Sequence, residues 1–207
     1  MKKLLWERKE NELLVSTDSL KEQSVHINKM IHRIDSANDL VSLQLKNMVT
    51  EKVDSSNFQY YSIQDCVDQA IEHFPFEYPQ QRQLIHCDIQ KDFQFCGEMT
   101  LTKHVIWNLM ANALYFIKEV DKGQINISTV INDQHNILRF CDTARGMTSD
   151  EAKQVFERYY TNRTDGNGSG VGLSFCKLVM TAYGGSIVCN AELGEFTEFL
   201  LYFPKPS

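Results

Sequence analysis

The chain has 207 residues and a formal net charge of −6 at pH 7, so it can hold one good-sized domain with a helical appendage. The acidic balance and dispersed basic residues argue against a nucleic-acid-binding surface, and no apolar run approaches the ~20 residues that span a bilayer. Six cysteines without zinc-type spacing predict small buried hydrophobes in a reducing cytoplasm.

Residues 1–52 contain no glycine or proline and predict helices. Apolar residues recur at steps of three and four from Ile27 to Met48, which is typical of a long helix in a coiled coil or bundle. The segment Leu4–Leu14 is predicted to end a preceding antiparallel helix. Because a lone arm would leave its apolar stripe exposed, we expect residues 1–52 to be a dimerisation segment, the alternative being packing on the chain's own domain.

Residues 53–207 mix predicted helices and hairpins without regular alternation, which favours the α+β class. We expect a two-layer α/β sandwich with the helices on one face of a mixed sheet. The predicted strands are Phe58–Ile63, Leu84–Ile89, Phe93–Cys96, Gln124–Ile131, Asn136–Cys141, Ser186–Ala191 and Phe196–Phe203, with a helix at Gln64–Phe74, a loop at Pro75–Gln83, a long helix after Gly97 and a capping-box helix from Thr148.

The long helix carries two asparagines among apolar residues over His104–Ile117. Asn108 and Asn112 are four residues apart and therefore lie on one face. Because asparagine is a mediocre helix former, the pair predicts a polar task such as holding a hydrated Mg²⁺ and phosphate oxygens. The alternative is a pair of buried hydrogen-bonding side chains.

The predicted strand Asn136–Cys141 is followed by Asp142 and a turn with Gly146. A carboxylate at a strand end can accept a hydrogen bond from an exocyclic amine, or it can simply stabilise the turn. Farther along, the aromatic segment Val155–Tyr160 precedes a polar run, Thr161–Gly168. Such a run suits a lid over a pocket, and an ordinary surface loop is the alternative.

A glycine-rich loop, Gly166–Leu173, opens directly onto an amphipathic helix that stops at Gly184 and Gly185. Glycines allow close backbone approach and positive φ, and the helix start offers unpaired N–H groups and a positive dipole end to an anion. The loop therefore predicts a phosphate-binding site, although glycine runs before helices also form plain turns.

Together and in this order, the four blocks resemble the ATP-binding domain of sensor histidine kinases, in the group that includes gyrase, the heat-shock ATPase chaperones and the mismatch-repair ATPases. The asparagine helix resembles the N box, the turn after Asp142 the G1 box, the aromatic segment the F box and Gly168–Leu173 the G2 box. The resemblance covers about residues 55–204 and implies the Bergerat ATP-binding fold. Within the family, the chain resembles quorum-sensing hybrid kinases of the α-hydroxyketone autoinducer type.

The resemblance implies that Asn112 chelates Mg²⁺ in an ATP site. Asn108 stands where the ATP-hydrolysing relatives carry a glutamate, and an amide is not a useful base. It therefore fits an enzyme that keeps ATP intact until a histidine nucleophile arrives, with transfer resting on positioning and charge neutralisation.

The same resemblance implies contacts to the rest of the nucleotide. Asp142 would bind the adenine amino group, Gly146 would let the backbone turn around the ring, and Thr197 would support the adenine site through water. Tyr115 stands where many members have a basic phosphate contact, which Lys118 or Arg163 would supply instead. The phosphates would be wrapped by the loop residues Gly168, Gly170, Val171, Gly172 and Leu173.

The chain departs from the family pattern at three places. Ala144 replaces the first glycine of the G1 turn, and Phe196 stands where the closing hairpin often has glycine. Neither change removes a polar group, so we expect ATP binding to survive. His26 and His32 lack the acidic residue and proline that follow the family's phosphoacceptor, so we expect the acceptor upstream of Met1 in a longer parent chain, with His32 ahead of His26 as the alternatives within it.

The sequence thus predicts the ATP-binding kinase core of a two-component sensor, with residues 53–207 as the catalytic domain. It would form a homodimer through its N-terminal helices and pass phosphate through a histidine to an aspartate of a response regulator or receiver domain. We expect a cytoplasmic location, as the cytoplasmic part of a membrane-bound sensor or alone. The alternatives are a degenerate, non-catalytic adaptor, favoured by Ala144 and the missing acceptor motif, and a hydrolysing ATPase, disfavoured by Asn108.

Overall fold

The computed structural model describes residues 7–9, 12–14, 53–163 and 168–205. The chain divides into two units, Met1–Val49 and Thr50–Ser207, whereas the sequence predicts a boundary between residues 52 and 53. The long helix predicted from Ile27 to Met48, with His26 and His32, lies outside the described residues.

In the first unit, β1 (Glu7–Lys9) and β2 (Glu12–Leu14) form an antiparallel pair with Glu7 opposite Leu14. The helix predicted over Leu4–Leu14 is therefore wrong at these strands. Only two residues separate these strands along the chain, and the second of those residues is Asn11. Asparagine disfavours helix interiors and favours the short turns that join hairpin strands, so it is a local sequence signal against the predicted helix.

The second unit has the predicted α+β organisation. Its elements are β3 (Gln59–Ser62), α1 (Ile63–His73), a 3₁₀ helix (Pro79–Leu84), β4 (Ile85–Asp88), β5 (Gln94–Gly97), α2 (Met99–Val120), β6 (Ile125–Ile131), β7 (His135–Asp142), α3 (Ser149–Gln154), α4 (Gly172–Ala182), β8 (Ser186–Glu192) and β9 (Phe196–Pro204). A five-stranded sheet runs in the order β4-β6-β7-β9-β8, with β4 and β6 parallel and the other pairs antiparallel, and β3 pairs separately with β5.

The core lies between this sheet and the helices. Along β9, alternate residues are buried, so that Phe199, Leu201 and Phe203 point into the core while Glu198 pairs with Arg139 on the other face. The helix α2 contributes the apolar residues predicted from its spacing, all of them buried: Val105, Ile106, Leu109, Ala113, Phe116 and Ile117. No helix among the described residues is long and apolar enough to cross a membrane.

Tyr183, just after α4, ties that helix to the beginning of α2. Its buried hydroxyl donates to the Glu98 carbonyl at 2.9 Å and lies 3.0 Å from the Thr102 hydroxyl. This junction holds the two helices that frame the glycine-rich loop and the asparagines.

Local signals explain most element boundaries. The predicted capping box is confirmed, since the Thr148 hydroxyl accepts from the Glu151 N–H and the Glu151 carboxylate accepts from the Thr148 N–H. The second half of the predicted loop Pro75–Gln83 instead forms the 3₁₀ helix, which begins at Pro79, where proline's fixed φ suits the first helical position, and which also includes Leu84, the predicted first residue of the next strand.

Candidate functional site

A cavity opens among α2, the ends of β7 and β9 and the start of α4. Eight of the residues predicted from sequence line it, and five others, Asn108, Tyr115, Lys118, Gly146 and Val171, lie outside its lining. The predicted residues in the lining are Asn112, Asp142, Arg163, Gly168, Gly170, Gly172, Leu173 and Thr197.

Asp142 and Thr197 form one side of the cavity because they face each other across β7 and β9. Both are buried, and Asp142 Oδ1 accepts a hydrogen bond from the Ala144 N–H at 3.1 Å. Burial raises the pKa of Asp142 to about 6, and the Ala144 N–H offsets part of that rise. A buried acceptor at a strand end suits a ligand that brings its own N–H donor.

The turn after Asp142 tolerates alanine where the family pattern has glycine. The contact that Ala144 makes to Asp142 uses its backbone N–H, which a glycine would supply equally. Gly146 has a positive φ of 66°, in keeping with a sharp backbone turn, but its backbone packs on Glu192 rather than facing the cavity.

The opposite, polar side of the cavity holds Asn112 and Arg163. The Arg163 guanidinium donates to Asn112 Oδ1 at 2.8 Å and to the Ala111 carbonyl at 3.1 Å, and it lies 4.4 Å from the Tyr115 ring centroid. Lys118 instead pairs with Glu77 at 3.1 Å outside the cavity, a contact that raises the pKa of Lys118. Of the two alternatives for a phosphate contact, the structure brings Arg163 to the cavity and not Lys118.

The glycine-rich loop passes close to two other segments. A Cβ on Gly172 would lie 2.5 Å from Asn108 Oδ1, and the carbonyl of Gly170, whose φ is positive, accepts from the Tyr159 N–H at 2.9 Å. Asn108 is held in turn, since its amide nitrogen donates to the His104 carbonyl at 2.9 Å. The first turn of α4 thus sits directly against the asparagine face of α2.

Asn162 and Glu151 fix the start of the polar run, which the sequence predicted only as a lid. Glu151 accepts hydrogen bonds from Thr148, Arg145 and Asn162, and Asn162 itself lines the cavity. Burial alone would raise the pKa of Glu151, but these bonds lower it to about 2. Residues 164–167 of the predicted lid lie outside the described residues.

Sequence reasoning missed half of the lining. Phe116 and Phe199 belonged to periodic core patterns, so their position at the cavity edge had no separate signal. The polar lining residues that were not predicted lie in or beside segments already identified as a lid and a phosphate loop. The lining residues not predicted are Phe116, Met147, Val155, Tyr160, Thr161, Asn162, Ser169 and Phe199.

The fold is shared with catalytic domains of histidine kinases. The ThkA catalytic domain superposes with a TM-score of 0.60 at 19% identity, covering 72% of this chain and 96% of that domain. Full-length ShkA gives a TM-score of 0.64 at 18% identity, covering 92% of this chain and 39% of ShkA. These likenesses define the class of fold to which the second unit belongs.

Residues 97–207 match the family of histidine kinase-, DNA gyrase B- and HSP90-like ATPases, and the chain belongs to this family. It is 31% identical over 172 residues to the CAI-1 autoinducer sensor kinase/phosphatase CqsS of Vibrio cholerae, a match that covers 83% of this chain and 25% of that protein. The autoinducer 1 sensor kinase/phosphatase LuxN of Vibrio campbellii is 34% identical over 171 residues, covering 83% and 20%. The chain thus spans about a quarter or less of these relatives.

Proposed function

We propose that this chain is the ATP-binding kinase core of a two-component sensor histidine kinase. The observation that carries the proposal is the cavity, which has a buried carboxylate at one side and an amide, a guanidinium and a glycine-bounded helix start at the other. The carboxylate side suits the amine of a purine, and the side with the guanidinium and the helix start suits the negative charge of a triphosphate. Family membership and the sensor kinase relatives support the same activity.

In this proposal Asp142 recognises adenine. The exocyclic amine of adenine donates to the carboxylate, and Thr197, opposite Asp142 on β9, orders water beside the ring. Gly146 shapes the turn beside this end of the site, and Phe116, Met147 and Phe199 supply an apolar lining for the ring.

The donor set also fits Mg²⁺. The described residues contain no cluster of three or more histidine, cysteine, aspartate or glutamate side chains that could hold a metal by themselves, whereas Asn112 presents an amide oxygen to the cavity. Mg²⁺ prefers oxygen ligands and usually takes them from water and substrate phosphates with one or two protein groups. Bound there, it would neutralise phosphate charge, and Asn112 would hold it.

The remaining residues position the phosphates. The N–H groups at the beginning of α4, around Gly172 and Leu173, are available to anionic oxygens, and Gly168, Gly170 and Val171 set the path of the loop that leads there. Arg163 supplies positive charge at this side. Asn108 packs against the loop and has no basic group with which to activate water, so ATP is kept for transfer.

The phosphoryl acceptor is a histidine outside this chain, from which a response regulator or receiver domain takes the phosphate to an aspartate. We place the protein in the cytoplasm, as a dimer joined through its N-terminal helices. The names of the autoinducer sensor kinase/phosphatase relatives favour this two-component assignment.

Transfer of label from ATP radiolabelled at the γ-phosphate to the full-length parent protein tests the proposal. We expect an acid-labile, base-stable phosphohistidine that requires Mg²⁺ and disappears in Asn112→Ala. Steady release of inorganic phosphate without labelling would indicate a hydrolysing ATPase. A protein that folds but neither binds ATP nor acquires label would be the adaptor, the alternative that Ala144 and the missing acceptor motif favour.

A further inference from the structure

Tyr115 lies beside the cavity rather than in its lining, and its ring meets the guanidinium of Arg163. The separation of 4.4 Å from ring centroid to guanidinium carbon is well inside the ~6 Å range of a cation–π contact. The ring is fixed in turn by Phe116, which packs against it edge to face with 5.0 Å between the ring centroids.

Arg163 rests on a single face of α2. Tyr115 is four residues after Ala111 and three after Asn112, so its ring lies on the same side of the helix as the Ala111 carbonyl and the Asn112 amide that the guanidinium contacts. The guanidinium donates to the carbonyl of the first and to the amide oxygen of the second, while the ring of the third supports its planar face.

Two of these three contacts do not use the amide oxygen of Asn112. If that oxygen were occupied by a metal ion, the Ala111 carbonyl and the Tyr115 ring would still hold the guanidinium of Arg163, which lines the cavity. The donor released from Asn112 is then available for an anionic oxygen, because a guanidinium carries five N–H groups in a fixed fork.

Lys118 cannot take this place without giving up its own partners. Its ammonium pairs with Glu77 at 3.1 Å and lies 5.9 Å from the centroid of the Tyr78 ring. Among the described residues that line the cavity, Arg163 is the only basic side chain.

We propose that Tyr115 is a positioning residue that holds Arg163 for the phosphate chain of the nucleotide. This inference rests on the proposed function. At the position of Tyr115, many family members have a basic side chain, whereas this chain has an aromatic ring. The positive charge comes instead from Arg163 in the polar run, which lies against that ring. The pair acts as a unit, so the phosphate contact depends on both side chains.

Calorimetric titration of the whole chain with Mg²⁺-ATP, and separately with adenosine, tests this pairing in Tyr115→Phe, Tyr115→Leu, Arg163→Ala and the Tyr115→Leu/Arg163→Ala double variant. Tyr115→Phe keeps the ring and should bind ATP as the wild type does. Tyr115→Leu should weaken ATP binding roughly two- to thirtyfold, the range that a cation–π contact spans. Neither Tyr115→Leu nor Arg163→Ala should change adenosine binding, because adenosine lacks phosphates.

The double variant should bind ATP no more weakly than Arg163→Ala, since Tyr115 acts only through Arg163. Additive losses, unchanged ATP affinity in Tyr115→Leu, or an equal loss for adenosine would overturn the inference. If Tyr115→Leu fails to fold, the inference would be overturned by an Arg163→Ala variant that binds ATP with wild-type affinity. It would be supported if Arg163→Ala loses affinity for ATP but not for adenosine while Tyr115→Phe binds ATP normally. Failure of the proposed function gives a different result, namely no ATP binding by the wild type.

Discussion

The buried carboxyl of Asp142 is the acidic group among the described residues that line the cavity. Burial raises the pKa of Asp142 to about 6, because the buried position disfavours the charged form. A ligand that donates an N–H to this carboxylate compensates for lost hydration, which couples recognition of the ligand to ionisation of Asp142.

We predict that ATP binding weakens as the pH falls through about 6, where Asp142 takes up a proton and loses acceptor strength. Below that value the affinity should decline by up to about tenfold per pH unit, as expected when one ionisation controls binding. Calorimetry between pH 5 and 8 measures the effect. The nucleotide itself titrates in this range, so the ATP affinity of the wild type is divided by that of Asp142→Asn, whose amide does not titrate. A ratio that stays constant with pH would contradict the assignment of Asp142 as the adenine contact.

Folding stability should show the opposite dependence on pH for the same group. Between the ordinary pKa of 3.8 and the folded value of about 6, the folded state binds more protons than the unfolded state. The contribution of Asp142 to stability is therefore fully present below 3.8 and is lost as the pH rises through about 6. Urea unfolding of the wild type and Asp142→Asn across this range should show that stability difference; its absence would indicate an ordinary pKa.

At the scale of elements, the approach of α4 to α2 depends on Gly172. A methyl group there would lie 2.5 Å from Asn108 Oδ1, so Gly172→Ala must shift either the asparagine or the helix start. We expect at least about a tenfold loss of ATP affinity, because the helix-start N–H groups and the asparagine face would no longer be aligned. Gly194→Ala is the matched control: its Cβ meets no atom within 4 Å, and its positive φ should lower stability but leave ATP binding unchanged. Equal binding by both variants would contradict this role.

The junction made by Tyr183 should contribute measurably to the stability of the second unit. Tyr183→Phe removes the hydrogen bonds that link the Tyr183 hydroxyl to the half-buried Glu98 backbone and to the buried Thr102 hydroxyl, which should cost about 1–3 kcal/mol in urea unfolding. Tyr202→Phe is the control, since within the described residues the Tyr202 hydroxyl makes no hydrogen bond. Equal stabilities of the two variants would show that the junction hydroxyl contributes nothing.

Periodic patterns and capping residues made the elements of the second unit predictable. The spacing of apolar residues in α2 and the alternation in β9 follow burial directly, and Thr148 with Glu151 is a local signal. The burial of the cysteines was harder to predict at sheet positions. The helical Cys66 and Cys176 and the strand residue Cys141 are buried as expected, whereas Cys189 is half-buried and Cys87 and Cys96 are exposed. Apolar character does not distinguish a strand's two faces where neither is fully covered.

The site was predictable as a set of motifs but not as a set of contacts. From the sequence, Lys118 and Arg163 were equal candidates for the phosphate contact, because spacing along the chain does not show that Lys118 already pairs with Glu77. It likewise gave no sign that Tyr115 would stack on a residue of the polar run. Long-range side-chain pairs of this kind depend on how loops fold back onto helices.

Compared with the sensor kinases that it resembles, the chain corresponds to only a part of their length. It spans a quarter of CqsS and a fifth of LuxN. Within the proposed function, the second unit binds ATP, and the histidine that receives the phosphate lies elsewhere in a longer protein. The choice between the two proposed functions, kinase core and adaptor, depends first on whether the cavity binds nucleotide.

Calorimetric titration of the chain with Mg²⁺-ATP, alongside Asp142→Ala, measures directly whether the cavity binds the nucleotide. We predict saturable binding by the wild type with one site per chain, and loss of binding in the variant, because the carboxylate is the proposed adenine contact. Wild-type binding that persists unchanged in Asp142→Ala would contradict the placement of adenine. No binding by a folded wild-type chain would contradict the kinase core itself and favour the adaptor.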